Sequence, residues 1–532
     1  MESERAFLQE KLDTGIKLFN TNKLDKATEY FKFLEKKEIT KKIALFYLGV
    51  IQIRKNETSI AKEYFYKILD LDKNHEMANL NLGLVFFQEK NFDKTSYYLE
   101  QTLTINKENI LAKYHLGMIN LFKKEYENAE KNFNQILLKE PKNIDVLNNL
   151  GICYLKQTRF EEAINTFQNC LKLNNKHKFS ILNLANTYFH TQKFYQAIEN
   201  YQKVLTIDKD HTISKIGLSK CYFATNKFDK ALEFYESRKK NQITKQKLIN
   251  NLIEKFNCKE WMGCSLEKKT ILILSEQGIG DNIQFARYIF WLKEKFDCRI
   301  IFYINKKISH LFDSCPCEIE TDINNISRID FFQHLLSLQY IYFQETNSFK
   351  KCIPFIQNNK ENVLNWKNRF KNFKKPIIAI QWKGNENFLD NQERSIPLRF
   401  LEKLIKNEDY SFISLQKDDN STEISLNKFQ KYITDFSEQI DLGSKSFEDT
   451  IAILKNIDLL ISVDTSMTHL ASTMEVDTFL LLNSNPDWRW HIQIKNNCLY
   501  NKLKIIRAPK TNYWNNISLS ILEELNTKFK KF

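Results

Sequence analysis

The sequence predicts an all-α solenoid of repeated helical hairpins followed by two tandem α/β domains of Rossmann-like type. Three observations carry this reading. Small residues recur at one fixed spacing through residues 8–245. Beyond residue 268, short runs of β-formers alternate with helical patterns. The turns that follow those runs carry glycine, hydroxyl or carboxylate residues.

The first half is built on a ruler. Gly15, Gly49, Gly83, Gly117 and Gly151 stand 34 residues apart, and Ala185 and Ser219 extend the series. Ala27, Ala61, Thr95, Ala129, Ala163, Ala197 and Ala231 form a second series at the same spacing. Phe31, Phe65, Leu99, Phe133, Phe167, Tyr201 and Tyr235 form a third. A 34-residue period with small residues at two marks and a mostly aromatic third is the tetratricopeptide pattern. It predicts seven helical hairpins, with small residues where paired helices approach and aromatics filling the space between hairpins. Turns are expected at Asn22-Lys23, Lys90-Asn91 and Gln192-Lys193, and Pro141 marks the end of one unit. Such a stack has a concave face that can hold a protein or peptide, or it serves as a spacer. Residues 246–267 are expected as a linker, punctuated by Trp261-Met262-Gly263.

Two α/β segments follow, expected at 268–365 and 374–510, joined by a basic helical connector and closed by a C-terminal helix at 511–532. The strand Thr270–Ser275 runs into Glu276-Gln277-Gly278-Ile279-Gly280-Asp281 and a helix. Gly278 and Gly280 permit a tight turn and close approach of a ligand. Asp281 can remove a proton from a hydroxyl or cap the helix that follows. The strand Ile377–Trp382 leads to Lys383-Gly384-Asn385, and Arg394-Ser395-Ile396-Pro397 precedes another helix. Lys383 and Arg394 can neutralise phosphate or serve as solvated surface charge. The strand Leu459–Val463 stops at Asp464-Thr465-Ser466, where a helix begins and carries Met467, Thr468 and His469. Hydroxyls there can cap the helix, and the helix start can also hold a diphosphate. His469 can be packed or catalytic. Turns at the carboxyl ends of parallel strands place any ligand in the cleft between the two domains.

Composition narrows the class. The chain has 532 residues, 42% hydrophobic and 27% charged, which is globular and multidomain. MESERAFLQEKLD lacks a basic segment followed by an apolar run, so no signal peptide is expected. No window is apolar enough to span a membrane. The ten cysteines are scattered, and Cys315 and Cys317 have neither zinc nor thioredoxin spacing. A cytoplasmic protein with reduced thiols is expected. The charge of +14 is dispersed, so specific nucleic-acid binding is not expected. No metal-ligand spacing is found, and Asp418-Asp419 reads as a turn.

EQGIGDNIQFARY (276–288), AIQWKGN (379–385), RSIP (394–397), SLQK (414–417), SVDTSMTHLAS (462–472) and PDWRW (486–490) occur in this order. Together with the repeats they resemble bacterial tetratricopeptide proteins with a C-terminal glycosyltransferase domain. That domain is similar to the ADP-heptose:lipopolysaccharide heptosyltransferases, which have the GT-B fold of two Rossmann-like domains. The resemblance implies inverting, metal-independent sugar transfer from a nucleotide-diphosphate sugar, with no cofactor. It implies Asp281 as base and Asp464, Thr465, Ser466, Met467, Thr468 and His469 as the donor-phosphate element, with Lys383 as its basic partner. Arg394 joins them from the RSIP match. The expected function is a hexosyl- or heptosyl-type transferase whose solenoid selects a protein or glycan acceptor. The alternative is a protein-binding scaffold whose α/β half is degenerate and non-catalytic.

Overall fold

The structure is a computed structural model that describes residues 2–241, 243–384, 394–417, 421–484, 488–490, 499–509 and 514–529. Asn385, Asp418, Asp419, Pro486 and Asp487 lie outside the described residues. The chain divides into two compact units, residues 1–191 and 192–532.

The first unit is all helical. Paired helices run Glu2–Asn20 with Leu24–Glu35, Lys41–Arg54 with Thr58–Leu71, and Glu76–Gln88 with Phe92–Ile105. Ile110–Phe122 with Tyr126–Leu137, Ile144–Lys156 with Phe160–Leu173, and the helix Lys178–His190 complete it. The ruler is explained by packing within each pair. A β-carbon on Gly151 would lie 2.5 Å from the Phe167 ring, and one on Gly117 would lie 2.6 Å from Phe133. Both rings are fully buried. The same aromatics reach the next pair, as where Phe31 stacks on Tyr47 with centroids 4.7 Å apart. Each pair turns at one left-handed residue, Asn22, Asn56, Lys90, Lys124 and Thr158 in this unit.

The second unit opens with the helices Phe194–Ile207, Thr212–Ala224 and Phe228–Tyr235. Residues 246–267 are not a linker. The helix Ile243–Phe256 buries Ile249 and Leu252 against Leu272 and Leu274, and Trp261 is fully buried. Apolar residues spaced along that helix made it part of the core. Two parallel sheets follow. The first holds β1 (Lys259–Glu260), β2 (Thr270–Leu274), β3 (Arg299–Tyr303), β4 (Glu318–Glu320) and β5 (Phe331–His334) in the order β1-β5-β2-β3-β4. The second holds β6 (Ile377–Gln381), β7 (Ser411–Ser414), β8 (Ile433–Asp435), β9 (Leu459–Val463), β10 (Thr478–Leu482) and β11 (Leu503–Arg507) in the order β11-β10-β9-β6-β7-β8. Central strands are buried on both faces, as parallel sheets covered by helices require. The C-terminal helix Ile517–Phe529 packs Ile521 and Leu525 into the second core.

In each sheet the order reverses beside its first long strand, between β2 and β5 and between β6 and β9. Such switch points open the crevice where ligands of α/β sheets bind. In the first sheet that crevice is filled by the chain itself. Arg238, from the turn after the last helix of the repeats, donates to Glu276 at 2.8 and 3.2 Å, to Ser337 at 2.8 Å and to Glu236 at 2.6 Å. Glu276 also accepts from the Leu336 amide at 3.1 Å. Burial opposes the charge on both carboxylates, yet the Arg238 guanidinium overcomes it. Glu276 is held below the ordinary range and Glu236, aided by Lys239, at about 2. Nearby, burial pushes His334 down to about 4 against the pull of Glu276.

Two tests follow from this packing. Adding a methyl at Gly151 forces a clash worth about 1–3 kcal/mol, against about 1 kcal/mol gained in helix propensity. Gly151→Ala therefore lowers the urea midpoint, while Gly15→Ala, whose β-carbon meets Phe31 at 3.2 Å, stays near wild type. A raised midpoint for Gly151→Ala would contradict the packing account. The second concerns pH. A buried histidine with a depressed value binds fewer protons folded than unfolded, so its stabilisation is complete above the unfolded value near 6.5 and is lost as pH falls towards about 4. Glu236 and Glu276 have the same sign at lower pH, losing their contribution below about 4.5. Thermal unfolding of the second unit should weaken between pH 7 and 5, and less steeply in His334→Gln. An equal slope in that variant would remove His334 from the account.

Candidate functional site

The crevice of the second sheet lies between Gln381 at the end of β6 and Thr465 beyond β9. Thr465 donates to the Gln381 side chain at 2.7 Å, across the point where the strand order reverses. Thr465 occupies the N-cap position of the helix Ser466–Thr473, but its hydroxyl does not cap that helix. Ser466, Asp464 and Thr465 are half-buried at the turn. Deeper residues of the same element are packed. Met467 is buried, and the Thr468 hydroxyl donates to the Val463 carbonyl at 2.9 Å. What these two residues present at the turn is backbone.

His469 is also buried. Its Nδ1 shares a hydrogen bond with the Tyr500 hydroxyl at 2.8 Å, and its ring stacks on Trp490 at 5.3 Å. Burial, then the nearby Arg489 and Arg287 cations, push its ring well below the ordinary histidine value, so it is neutral. His469 is thus a buried, uncharged ring packed against Trp490 and Tyr500.

The turn after β2 approaches this helix directly. A β-carbon on Gly280 would lie 2.8 Å from His469 Cδ2 and 3.1 Å from Ser466 Cα. Gly280 therefore serves the close approach of two protein turns. The left-handed residue of the turn is Gln277, with φ of 58°, and not Gly278. The same left-handed conformation closes the helical pairs of the first unit, so here it marks a tight turn. Asp281 occupies the third position of the helix Ile279–Phe285 and accepts from the Gly278 amide at 2.8 Å.

Asp281 does not face open solvent across a cleft. Its other oxygen accepts from Arg489, on the turn Trp488–Trp490 of the second sheet's side. Both side chains are nearly buried, 13% and 11% exposed. Arg489 also reaches Gln277 at 3.4 Å, and Gln277 bonds the Tyr235 hydroxyl at 2.9 Å. The last repeat thus borders the site through Tyr235, and the helix Thr212–Ala224 packs beside Trp488–Trp490. Arg287 ties the two sheets from behind, donating to the Lys350 and Leu499 carbonyls at 3.1 and 3.0 Å.

The basic residues expected here are already engaged. Lys383 pairs with Glu423 at 3.0 Å, and Glu423 also accepts from Trp382 and the Leu398 amide. Arg394 donates to the Asp464 carbonyl at 3.3 Å, bracing the turn from below. The structure therefore brings Asp281, Gly280, Ser466, Thr465, Arg394 and His469 to one place and holds Lys383 against Glu423. Arg489, Gln277 and Tyr235 were not singled out from the sequence as site residues. Arg489 stands in the PDWRW motif, which was the available signal, while Tyr235 was concealed as an ordinary mark of the repeat ruler. Among the described residues no group of His, Cys, Asp and Glu could hold a metal ion, and no helix is long and apolar enough to cross a membrane.

Comparison with known proteins bears on the repeats. The tetratricopeptide repeat family matches residues 178–238, and the family of anaphase-promoting complex, cyclosome, subunit 3 matches residues 123–204. Protein FlbA of Caulobacter vibrioides is 22% identical over 246 residues, 42% of this chain and 41% of that protein. The chain thus spans about two fifths of that relative's length. Among solved structures, YrrB, titled a TPR protein with an unusual peptide-binding site, is 19% identical with a TM-score of 0.33, covering 35% of this chain and 96% of that one. A tetratricopeptide repeat protein from Parabacteroides merdae is 19% identical with a TM-score of 0.36, covering 44% and 92%. The Cut9–Hcn1 hetero-tetramer is 21% identical with a TM-score of 0.34, covering 40% and 42%. The N-terminal region of this chain carries tetratricopeptide repeats, and an α/β region with two parallel sheets follows them.

Proposed function

We propose that the chain is an inverting, metal-independent glycosyltransferase of the heptosyltransferase-like GT-B kind. It takes a sugar from a nucleotide-diphosphate sugar and gives it to a protein or glycan acceptor selected by the repeats. The observation that carries this reading is the meeting of Gly280, the residue before Asp281, with the start of the Ser466–Thr473 helix, at the carboxyl ends of two parallel sheets. A diphosphate at that helix start gains from its amides and positive end. In the transfer step the acceptor oxygen bonds to the anomeric carbon as Asp281 takes its proton. The anomeric carbon–oxygen bond breaks, and its electron pair leaves on the nucleoside diphosphate. That charge is stabilised by the helix end and by Arg489. The chemistry asks for no divalent ion, because these groups are fixed.

A second reading is a protein-binding scaffold whose α/β half is not catalytic. It is favoured by the engaged state of the charges: Asp281 is paired with Arg489 and Lys383 with Glu423. The repeats serve both readings, since stacked hairpins offer a surface to a polypeptide.

A thermal-shift screen of the full chain against ADP-, GDP-, UDP-, CMP- and dTDP-sugars separates the two. The transferase reading predicts stabilisation by one nucleotide class, unchanged by EDTA. Asp281→Asn should keep that shift and lower transfer by about 10²-fold or more. No shift with any nucleotide sugar would favour the scaffold.

A further inference from the structure

We propose that Tyr235 and Arg238, at the end of the last repeat, are positioning residues for the turn that carries Asp281. This rests on the transferase reading above and adds that the last repeat helps to build the site. The turn from Glu276 to Asp281 is held at two consecutive residues. Arg238 donates to the Glu276 carboxylate at 2.8 and 3.2 Å, with two nitrogens of its fork. Tyr235 meets the next residue, its hydroxyl 2.9 Å from the Gln277 side-chain nitrogen and 3.2 Å from the side-chain oxygen. The two residues of the repeat also fix one another. The Arg238 guanidinium lies over the Tyr235 ring at 4.7 Å and donates to the Tyr235 carbonyl at 3.2 Å. Tyr235, Arg238 and Glu276 are all buried. The first sheet closes the clamp from its own side, where the Leu336 amide donates to Glu276 at 3.1 Å and the Ser337 hydroxyl accepts from Arg238 at 2.8 Å.

The hold reaches Asp281 through the backbone. Gln277 and Gly278 are exposed, so core packing does not set their place. The Gln277 Cα carries the side chain bonded to Tyr235 and begins the peptide whose N–H belongs to Gly278. That N–H donates to the Asp281 carboxylate at 2.8 Å. A shift of Gln277 therefore turns the donor that aims the carboxylate. Two residues further on, Gly280 lies against Ser466 and His469, so the other side of the turn is set by the second sheet. Catalytic geometry is sensitive at this scale, since a misplacement of about 1 Å can cost roughly 10²-fold in rate.

The test uses the full chain and two readouts. Tyr235→Phe removes one hydroxyl and keeps the ring beneath Arg238. Amide exchange at 278–281 should quicken by roughly fivefold, the change one hydrogen bond makes to a local opening. Turnover is read as nucleoside diphosphate released from ADP-, GDP-, UDP- and dTDP-sugars, with water as the acceptor. It should fall by about tenfold, while the KM for the sugar stays within about twofold of wild type. Arg238→Lys keeps the charge and loses the fork, and should show the same pair of changes. Phe228→Leu loosens the same hairpin where it packs on Phe343 and Phe349, with ring centroids 6.0 and 5.1 Å away. It should lower the unfolding temperature and leave both readouts at wild-type values. The proposal is overturned, with the transferase reading intact, if the wild type turns over a nucleotide sugar and Tyr235→Phe changes neither readout or only one. Equal effects of Phe228→Leu on both readouts would also overturn it, by making the loss one of stability. No turnover of any nucleotide sugar by the wild type would overturn the transferase reading and this proposal together.

Discussion

Two turns from different sheets meet at a point where no side chain fits. Gly280 lies so close to Ser466 and His469 that even a methyl group would collide with them. The candidate site depends on this approach. It sets the residue before Asp281 against the Ser466–Thr473 helix, while Asp281 itself pairs with Arg489. A larger residue at Gly280 would push the two turns apart and separate the carboxylate from the helix start. The rest of the local packing serves the same closure. Arg287 spans the sheets through carbonyls, and His469, Trp490 and Tyr500 form an aromatic wall with no charge of its own.

The two sheets are similar in strand order and different in use. Each has a switch point where a ligand crevice is expected. The first is filled by Arg238, which arrives from the end of the repeats and meets two carboxylates. Removing one member of such a buried cluster costs about 3–5 kcal/mol, because the remaining charges stay buried and unmatched. The last repeat is thereby part of the α/β fold. The crevice of the first sheet is occupied by Arg238 from the end of the repeats.

Much of this was legible in the sequence where the cause is local. The 34-residue ruler reports a steric requirement repeated in each helical pair, so glycine and phenylalanine announce one another at fixed spacing. Strands buried on both faces, such as Leu459–Val463 and Thr478–Leu482, read as unbroken apolar runs. Short or edge strands did not. Glu318–Glu320 and Lys259–Glu260 carry charges because they lie at the margins of the sheet. The sequence reads as linker over 246–267 because the polar residues of the Ile243–Phe256 helix hide the stripe that packs on β2. The site was half legible. Motif positions single out Asp281 and the Asp464–His469 turn as candidates. Spacing along the chain cannot show that Lys383 is taken by Glu423, that His469 is turned inward, or that Arg489 closes on Asp281. Those are facts of long-range packing.

Hydrogen–deuterium exchange of the full chain, with and without a stabilising nucleotide sugar, tests whether the two turns meeting at Gly280 form the proposed nucleotide-sugar site. The account predicts slowed exchange confined to Gly278–Asp281 and Thr465–His469. Slowing in only one of these turns, or elsewhere in the second unit with neither affected, would contradict it.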